Sequence, residues 1–227
     1  MAHQPTQARW EERSTVRVLE VGHEQILRRS RRIVEAAYEL LGTAGLEGLT
    51  IRAVLEKTRL SRRAFYERFA DKDELVLAVF EETIRLAARH YGQQIEALRN
   101  PMDGLKLIVT SVVLAKGNSD QDGAKKSYRR GIAMSREHLR LAQSRPADLQ
   151  AALTPLIALV SQQLARGMAV GAVRKGDPQR LATLIYNLIA TTVHTELLAH
   201  ESGGPNQARR TKLAADIWEF CRRAIAA

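Results

Sequence analysis

The sequence predicts an all-α protein, and three observations carry that prediction. Apolar residues recur at helical spacing along most of the 227 residues. Asn100-Pro101, Thr154-Pro155 and Asp177-Pro178 each place a side-chain acceptor before a proline, the pattern of an N-cap and first helical residue. No sustained alternation of β-branched residues is present, since Val16-Arg17-Val18 is too short to make a strand. Usual helix lengths then give about eight to ten helices.

Residues 1–25 lack sustained periodicity and read as a mobile arm. Ile33, Ala36, Ala37, Leu40 and Leu41 form the stripe of a first helix that ends near Gly42 and Gly45. Leu49 to Leu75 reads as two short helices and a tight turn. Thr50 caps the first, which buries Ile51, Val54 and Leu55; Ser61 caps the second, which is anchored by Phe65 and Phe69. Leu60 fills the angle between them. Asp71 and Glu74 form a capping-box pattern for the next helix, striped by Leu75, Val79, Phe80, Ala87, Tyr91, Ile95 and Leu98. Gly117 to Gly123 and Ser202 to Pro205 read as loops. The organisation expected is an arm at 1–25, a small three-helix domain at 26–72 and a larger helical domain at 73–227.

The composition narrows the possibilities. With 45% hydrophobic and 26% charged residues, the chain is not disordered at large. The single Cys221 excludes a disulfide framework and a multi-cysteine zinc site. The apolar runs Leu149 to Ala165 and Leu181 to Thr195 are too short to span a membrane, and the first 25 residues lack a signal-peptide core, so a soluble cytoplasmic protein without a membrane partner is expected. A net charge of +10 points to an anionic partner. The charge does not locate it, because residues 1–75 hold 14 basic and 12 acidic residues, a net of +2.

The Leu49–Leu75 segment does locate it. A capped helix, a turn and a second capped helix make helix-turn-helix geometry, in which the second helix enters the DNA major groove. Arg62 and Arg63 lie in that helix's first turn, where an arginine fork suits O6 and N7 of guanine, and Tyr66 stands beside them. Arg68, Lys72, Thr50 and Arg52 suit phosphate oxygens, as do Arg29, Arg31 and Arg32. Ser61 completes the DNA-contacting set. Over Arg52 to Arg68, six residues are basic and two acidic.

At these residues the chain resembles the TetR family of transcriptional regulators. The family pattern of a threonine, an apolar helix, a turn and Ser-x-x-x-apolar-Tyr-x-x-Phe-x-x-Lys-x-x-Leu is met by Thr50, Ser61, Phe65, Tyr66, Phe69, Lys72 and Leu75. Ile33 to Ala37 and Gly45 to Thr50 also fit. Thr58-Arg59 stands where Ala-Gly is frequent and Arg63-Ala64 where Gly-Thr is frequent, and Glu67 is acidic near expected phosphates. The turn prefers positive φ, so Arg59 must adopt it or the turn must differ. The resemblance implies a homodimer that binds a double-stranded DNA operator through its first three helices. It also implies a small-molecule effector held in the larger domain, with repression relieved on binding. No cofactor and no enzymatic activity are expected. The alternative is a helical binding protein for an anionic metabolite such as an acyl-CoA, with little specific DNA binding.

In the larger domain, two late helices carry broad apolar faces. Leu181, Leu184 and Leu188 on one, and Leu213, Ile217, Phe220 and Cys221 on the other, are the expected dimer interface. The span Met102 to Leu181 holds no Phe or Trp, which favours an aliphatic or flexible ligand. Lys125, Lys126, Arg129, Arg130, Arg136, Arg140 and Arg145 crowd a stretch opposed only by Glu137. They read as a solvated helix face, with a mouth for an anionic ligand as the second reading. Asn118, Asp120 and Asp122 lack the closing glutamate of a calcium loop, Arg129 standing in its place. His194 and His200 are six residues apart, about 120° round a helix from one another, so a shared metal with Glu196 is not expected.

Overall fold

The computed structural model describes residues 9–114, 121–200 and 206–227, with side chains from residue 24 onward except at 121, 122 and 124. The described residues form nine helices and no strand. These are α1 (Arg9–Gly48), α2 (Ile51–Thr58), α3 (Arg62–Tyr66), α4 (Lys72–Glu96), α5 (Pro101–Leu114), α6 (Gln121–Ser144), α7 (Pro146–Ala169), α8 (Pro178–Ala199) and α9 (Gln207–Ile225). The all-α expectation holds. The calcium-like Asn118 and Asp120 and the loop at 202–205 lie outside the described residues, and Gln121 to Gly123 already belong to α6.

Two features differ from the sequence expectation. Helix α1 begins at Arg9, inside the segment read as a mobile arm. Residues 9–21 contain neither glycine nor proline and hold three Glu and three Arg, so intrinsic propensity supports a helix without an apolar stripe. Pro155 starts no helix; it lies inside α7, whose start is Pro146. The Thr154 hydroxyl donates to the Gln150 carbonyl at 2.9 Å instead of capping. Pro101 and Pro178 do open α5 and α8, with Asn100 and Asp177 accepting the first free amides.

Two cores share one helix. The small core gathers Ile33, Ala36, Ala37 and Leu41 of α1 with Leu49, Val54, Phe65 and Phe69. Leu75, Val76 and Val79 of α4 close it. Leu77 and Phe80, on the other side of α4, join the large core of α5, α7, α8 and α9. The change of domain expected after residue 72 therefore falls in the first turn of a helix that serves both sides. Helix α1 breaks at Gly45 (φ 68°, ψ −168°), a backbone conformation open to glycine alone among residue types, which turns the chain toward α2. The passage before α8 is tied to the C-terminus, where the Arg174 amide donates to Ile225 and its Nε to Ala224, both at 2.9 Å.

Candidate nucleic-acid interface and internal cavity

Helices α2 and α3 are built by their caps and by one buried ring. Thr50 Oγ1 accepts from the Ala53 amide at 3.1 Å, and Ser61 Oγ from the Ala64 amide at 3.2 Å. Each cap contributes about 1 kcal/mol. Both hydroxyls keep their own O–H to donate to a phosphate. Val54 and Phe65 are fully buried, and Ile51, Leu55 and Leu60 are half-buried around them. Phe65 meets Tyr66 edge-on at 5.4 Å and Phe69 at 5.7 Å between ring centroids. Arg59 does take the left-handed conformation (φ 54°, ψ 32°), the one described non-glycine residue to do so. That costs about 1–2 kcal/mol. Bonds around the turn offset it: Arg32 Nη2 donates to the Thr58 carbonyl at 2.8 Å, and Thr58 Oγ1 donates to Val54 at 2.8 Å. Arg32 therefore closes the end of α2.

The outer face of α3 carries Arg62, Arg63 and Tyr66, all exposed, with Arg52 beside them on α2. Arg63, 90% exposed, pairs with Glu67 at 3.0 Å, and Arg52 pairs with Glu56 at 2.8 Å. Glu67 is thus a holder of arginine, and the bonds from Arg63 and then Arg68 keep its carboxyl below the usual range. Such exposed pairs are weak, about 0.2–1 kcal/mol, and leave Arg63 free to turn to a base. Lys72 is half-buried and donates to the Leu46 carbonyl at 3.1 Å, with two ammonium protons still available.

Arg68 is a correction. Its side chain is only 5% exposed, so it is not presented to a phosphate. Its Nη1 donates to the Ala64 carbonyl and to Glu67, and its Nε is buried without a partner. The sequence held the signal: Arg68 stands directly before the core residue Phe69, in the turn that closes α3. Arg68→Ala is expected to lower stability by about 1–3 kcal/mol. The slope of log affinity against log salt should stay unchanged. A slope reduced by one would instead make it a phosphate contact.

The basic stretch of α6 is only partly a solvated face: Lys125, Lys126 and Arg136 are exposed, while Arg129, Arg130 and Arg140 reach other helices. It seals the small domain to the large one. Arg129 donates to the Thr43 carbonyl at 2.6 Å, and the Arg130 guanidinium lies 4.5 Å from the Tyr38 ring centroid. A side chain on Gly42 would meet Arg130 Nη1 at 2.6 Å and Lys126 Cβ at 3.3 Å, so the glycine leaves room for the Arg130 guanidinium beside Tyr38. Arg140 makes a two-point bond to the buried Glu137 and reaches Asp73 of α4 at 3.1 Å. Arg145 pairs with Asp148 at 2.5 Å. Helix α6 therefore holds the end of α1 and the start of α4 together.

Its opposite face lines an internal cavity of about 380 Å³ between α4, α6 and α8. Its walls include Phe80, Ile84, Tyr91, Met134, His138, Leu156, Tyr186, Ile189 and His194. Tyr38 and Arg130 also line it, so one pair belongs to both the cavity and the interdomain seam. The span 102–181 supplies only part of the wall: α4 and α8 add Phe80, Tyr91 and Tyr186 beside Ile84, Met134, Leu156 and Ile189. Met102 and Met168 pack on the large core. No local pattern marks this cavity, because its walls come from distant segments. His194 turns toward His138, and Glu196 pairs with Arg209 at 2.9 Å. Among the described residues no grouping could hold a metal ion, and no helix is long and apolar enough to cross a membrane.

The expected interface residues divide. Leu184 and Phe220 are 56% and 63% exposed, and Leu181, Leu188 and Leu213 are half-buried against the large core. Ile217 and Cys221 are buried in the chain's own core, so their place in an interface is corrected. They lie four apart on the face of α9 that packs inward, and burial lifts the thiol to about 11, leaving it protonated and inert.

A family profile described as bacterial regulatory proteins, tetR family, matches residues 33–79. No curated protein matches the chain. A TetR-family transcriptional regulator from Pectobacterium atrosepticum superposes with a TM-score of 0.67 at 16% identity, covering 90% of this chain and 97% of that one. The transcriptional regulator FadR from Bacillus subtilis, in complex with stearoyl-CoA, gives 0.64 at 16% identity, covering 84% and 96%. The fatty acid degradation regulator FadR from Bacillus halodurans gives 0.64 at 14%, covering 85% and 97%. At these identities the likeness is one of fold, and it extends over both domains.

Proposed function

We propose that this chain, whose residues 33–79 match the tetR family of bacterial regulatory proteins, is a regulator of that family and acts in the cytoplasm as a repressor. It grips its operator as a homodimer and releases it when a small molecule fills the cavity between α4, α6 and α8. In this reading Arg62, Arg63 and Tyr66 meet base edges, while Thr50, Arg52, Ser61 and Lys72 fix the register on phosphates. Leu184 and Phe220, with Leu181, Leu188 and Leu213, form the apolar face that a second copy covers.

The observation that carries the proposal is the two-sided placement of α6. One face lines the cavity through Met134, Ser135 and His138, and the other clamps the small domain through Arg129, Arg130 and Arg140. A ligand that displaces α6 or the Tyr38–Arg130 pair therefore moves α1 and the start of α4. In a dimer the recognition helices must match successive major grooves about 34–36 Å apart, so a small displacement loses specific contact.

Small molecules co-purifying with the protein, identified by mass spectrometry, supply the probe. Those that release operator from the wild type should release it from Arg129→Gln/Asp73→Asn, which removes clamp contacts outside the cavity, at a concentration about 5–150-fold higher, the usual span of a coupling of this kind. Their binding to the cavity should be unchanged. Equal release from both proteins would place the coupling elsewhere. The alternative of a metabolite-binding protein without specific DNA binding is not favoured, since the helix-turn-helix keeps its caps, core and exposed arginines.

A further inference from the structure

The internal cavity has a one-sided chemistry. No Asp or Glu lines it among the described residues, whereas Arg130, Arg210, His90, His138 and His194 do. At its centre His138 of α6 and His194 of α8 stand with ring centroids 4.5 Å apart at 62°. His138 Nδ1 lies 3.3 Å from the Tyr186 hydroxyl, and Phe80 flanks the same ring at 6.2 Å. Among the described residues no carboxylate is bonded to either imidazole. The other titratable or charged groups facing this space are His90 and Tyr91 of α4, Tyr128 and Arg130 of α6, Tyr38 of α1 and Arg210 of α9.

A buried imidazole pair without a carboxylate is held neutral. Burial lowers both, and proximity to His138 helps bring His194 down to about 4. Two neutral imidazoles side by side offer one acceptor and one donor to a single incoming group. They suit an acidic O–H: one nitrogen takes its proton, and an N–H binds the oxygen left behind. The resulting anion–imidazolium contact is charge-assisted and shielded from water. An ammonium ligand would find no counter-charge here and would meet the arginines instead.

We propose that the effector is a small carboxylic acid whose acidic oxygen seats on the His138–His194 pair. Its apolar body lies among Phe80, Met134, Leu156 and Ile189. The proposal rests on the reading of this cavity as the effector site. The balance of the step is simple. A neutral acid carries its own proton in, and an anion takes one proton from solvent, so binding of the anion consumes one proton per site.

The test is calorimetry on the full chain with phenylalkanoates of increasing chain length, each beside its matched alcohol and amine. It is run in two buffers of different ionisation enthalpy at pH 6, 7 and 8, together with operator release. The acids should bind at least tenfold tighter than the matched alcohols and amines at pH 7. They should take up close to one proton and tighten by up to about tenfold per pH unit on going from 8 to 6. His138→Gln and His194→Gln should each lose the proton uptake and the preference for acids while still binding the alcohols. Alcohols or amines that bind as well as the acids and release operator would overturn the acid class and leave the effector site standing. Binding by no member of the series would overturn both.

Discussion

Phe65→Ala is expected to destabilise the small domain by about 3–5 kcal/mol and to abolish operator binding. Phe65 is fully buried and is the ring against which both Tyr66 and Phe69 pack. It lies in the middle of α3, a helix of five residues that has little hydrogen-bonded length of its own. Loss of the ring leaves a cavity between α1, α2 and α4 and removes the only large apolar anchor within α3. Native-state hydrogen exchange should show faster opening of residues 51–69, with α7 to α9 retaining their protection. Unchanged protection and unchanged operator affinity would contradict the packing account.

The second large effect is at the surface of the same helix. Arg63→Ala should weaken operator binding by about 1–3 kcal/mol, roughly 5- to 150-fold, and relax the preference at one base pair. Arg63 is nearly fully exposed, and its only bond is to Glu67, so its removal disturbs nothing in the core. Thermal stability should therefore stay close to that of the wild type, within about 0.5 kcal/mol. This separates it from Phe65→Ala, which loses binding through the fold. Selection of bound sequences from a randomised pool would reveal the relaxed position. Uniform weakening across all sequences, with a salt slope lower by one, would make Arg63 a phosphate contact.

What could be read from the sequence was what is local. Thr50, Ser61 and Asp71 each cap a helix within three residues of themselves, and Phe65 and Phe69 mark one face of one turn. The helix-turn-helix is therefore written in about 25 consecutive residues. Even there, Arg68 was assigned to the wrong side, because a charged residue beside an apolar face can fold back on its own helix. The α6 arginines had no local meaning. Their partners Thr43, Tyr38 and Asp73 lie between 67 and 92 residues away, and only folding makes the stretch a seam. His138 and His194 are likewise 56 residues apart and meet across two helices. Helix α9 misled for another reason. It is apolar on two faces, one covered within the chain by Ile217 and Cys221 and one presenting Phe220, and periodicity does not distinguish them.

The central claim is that a dimer of this chain reads a specific operator through α3. Footprinting on the DNA flanking its own gene, repeated across a salt titration, tests it most directly. The account predicts two protected half-sites one helical turn apart, about 34–36 Å between centres, and their disappearance in Arg62→Ala/Arg63→Ala while the dimer stays folded. Protection spread evenly along the DNA, falling steeply with salt and surviving the double substitution, would contradict it.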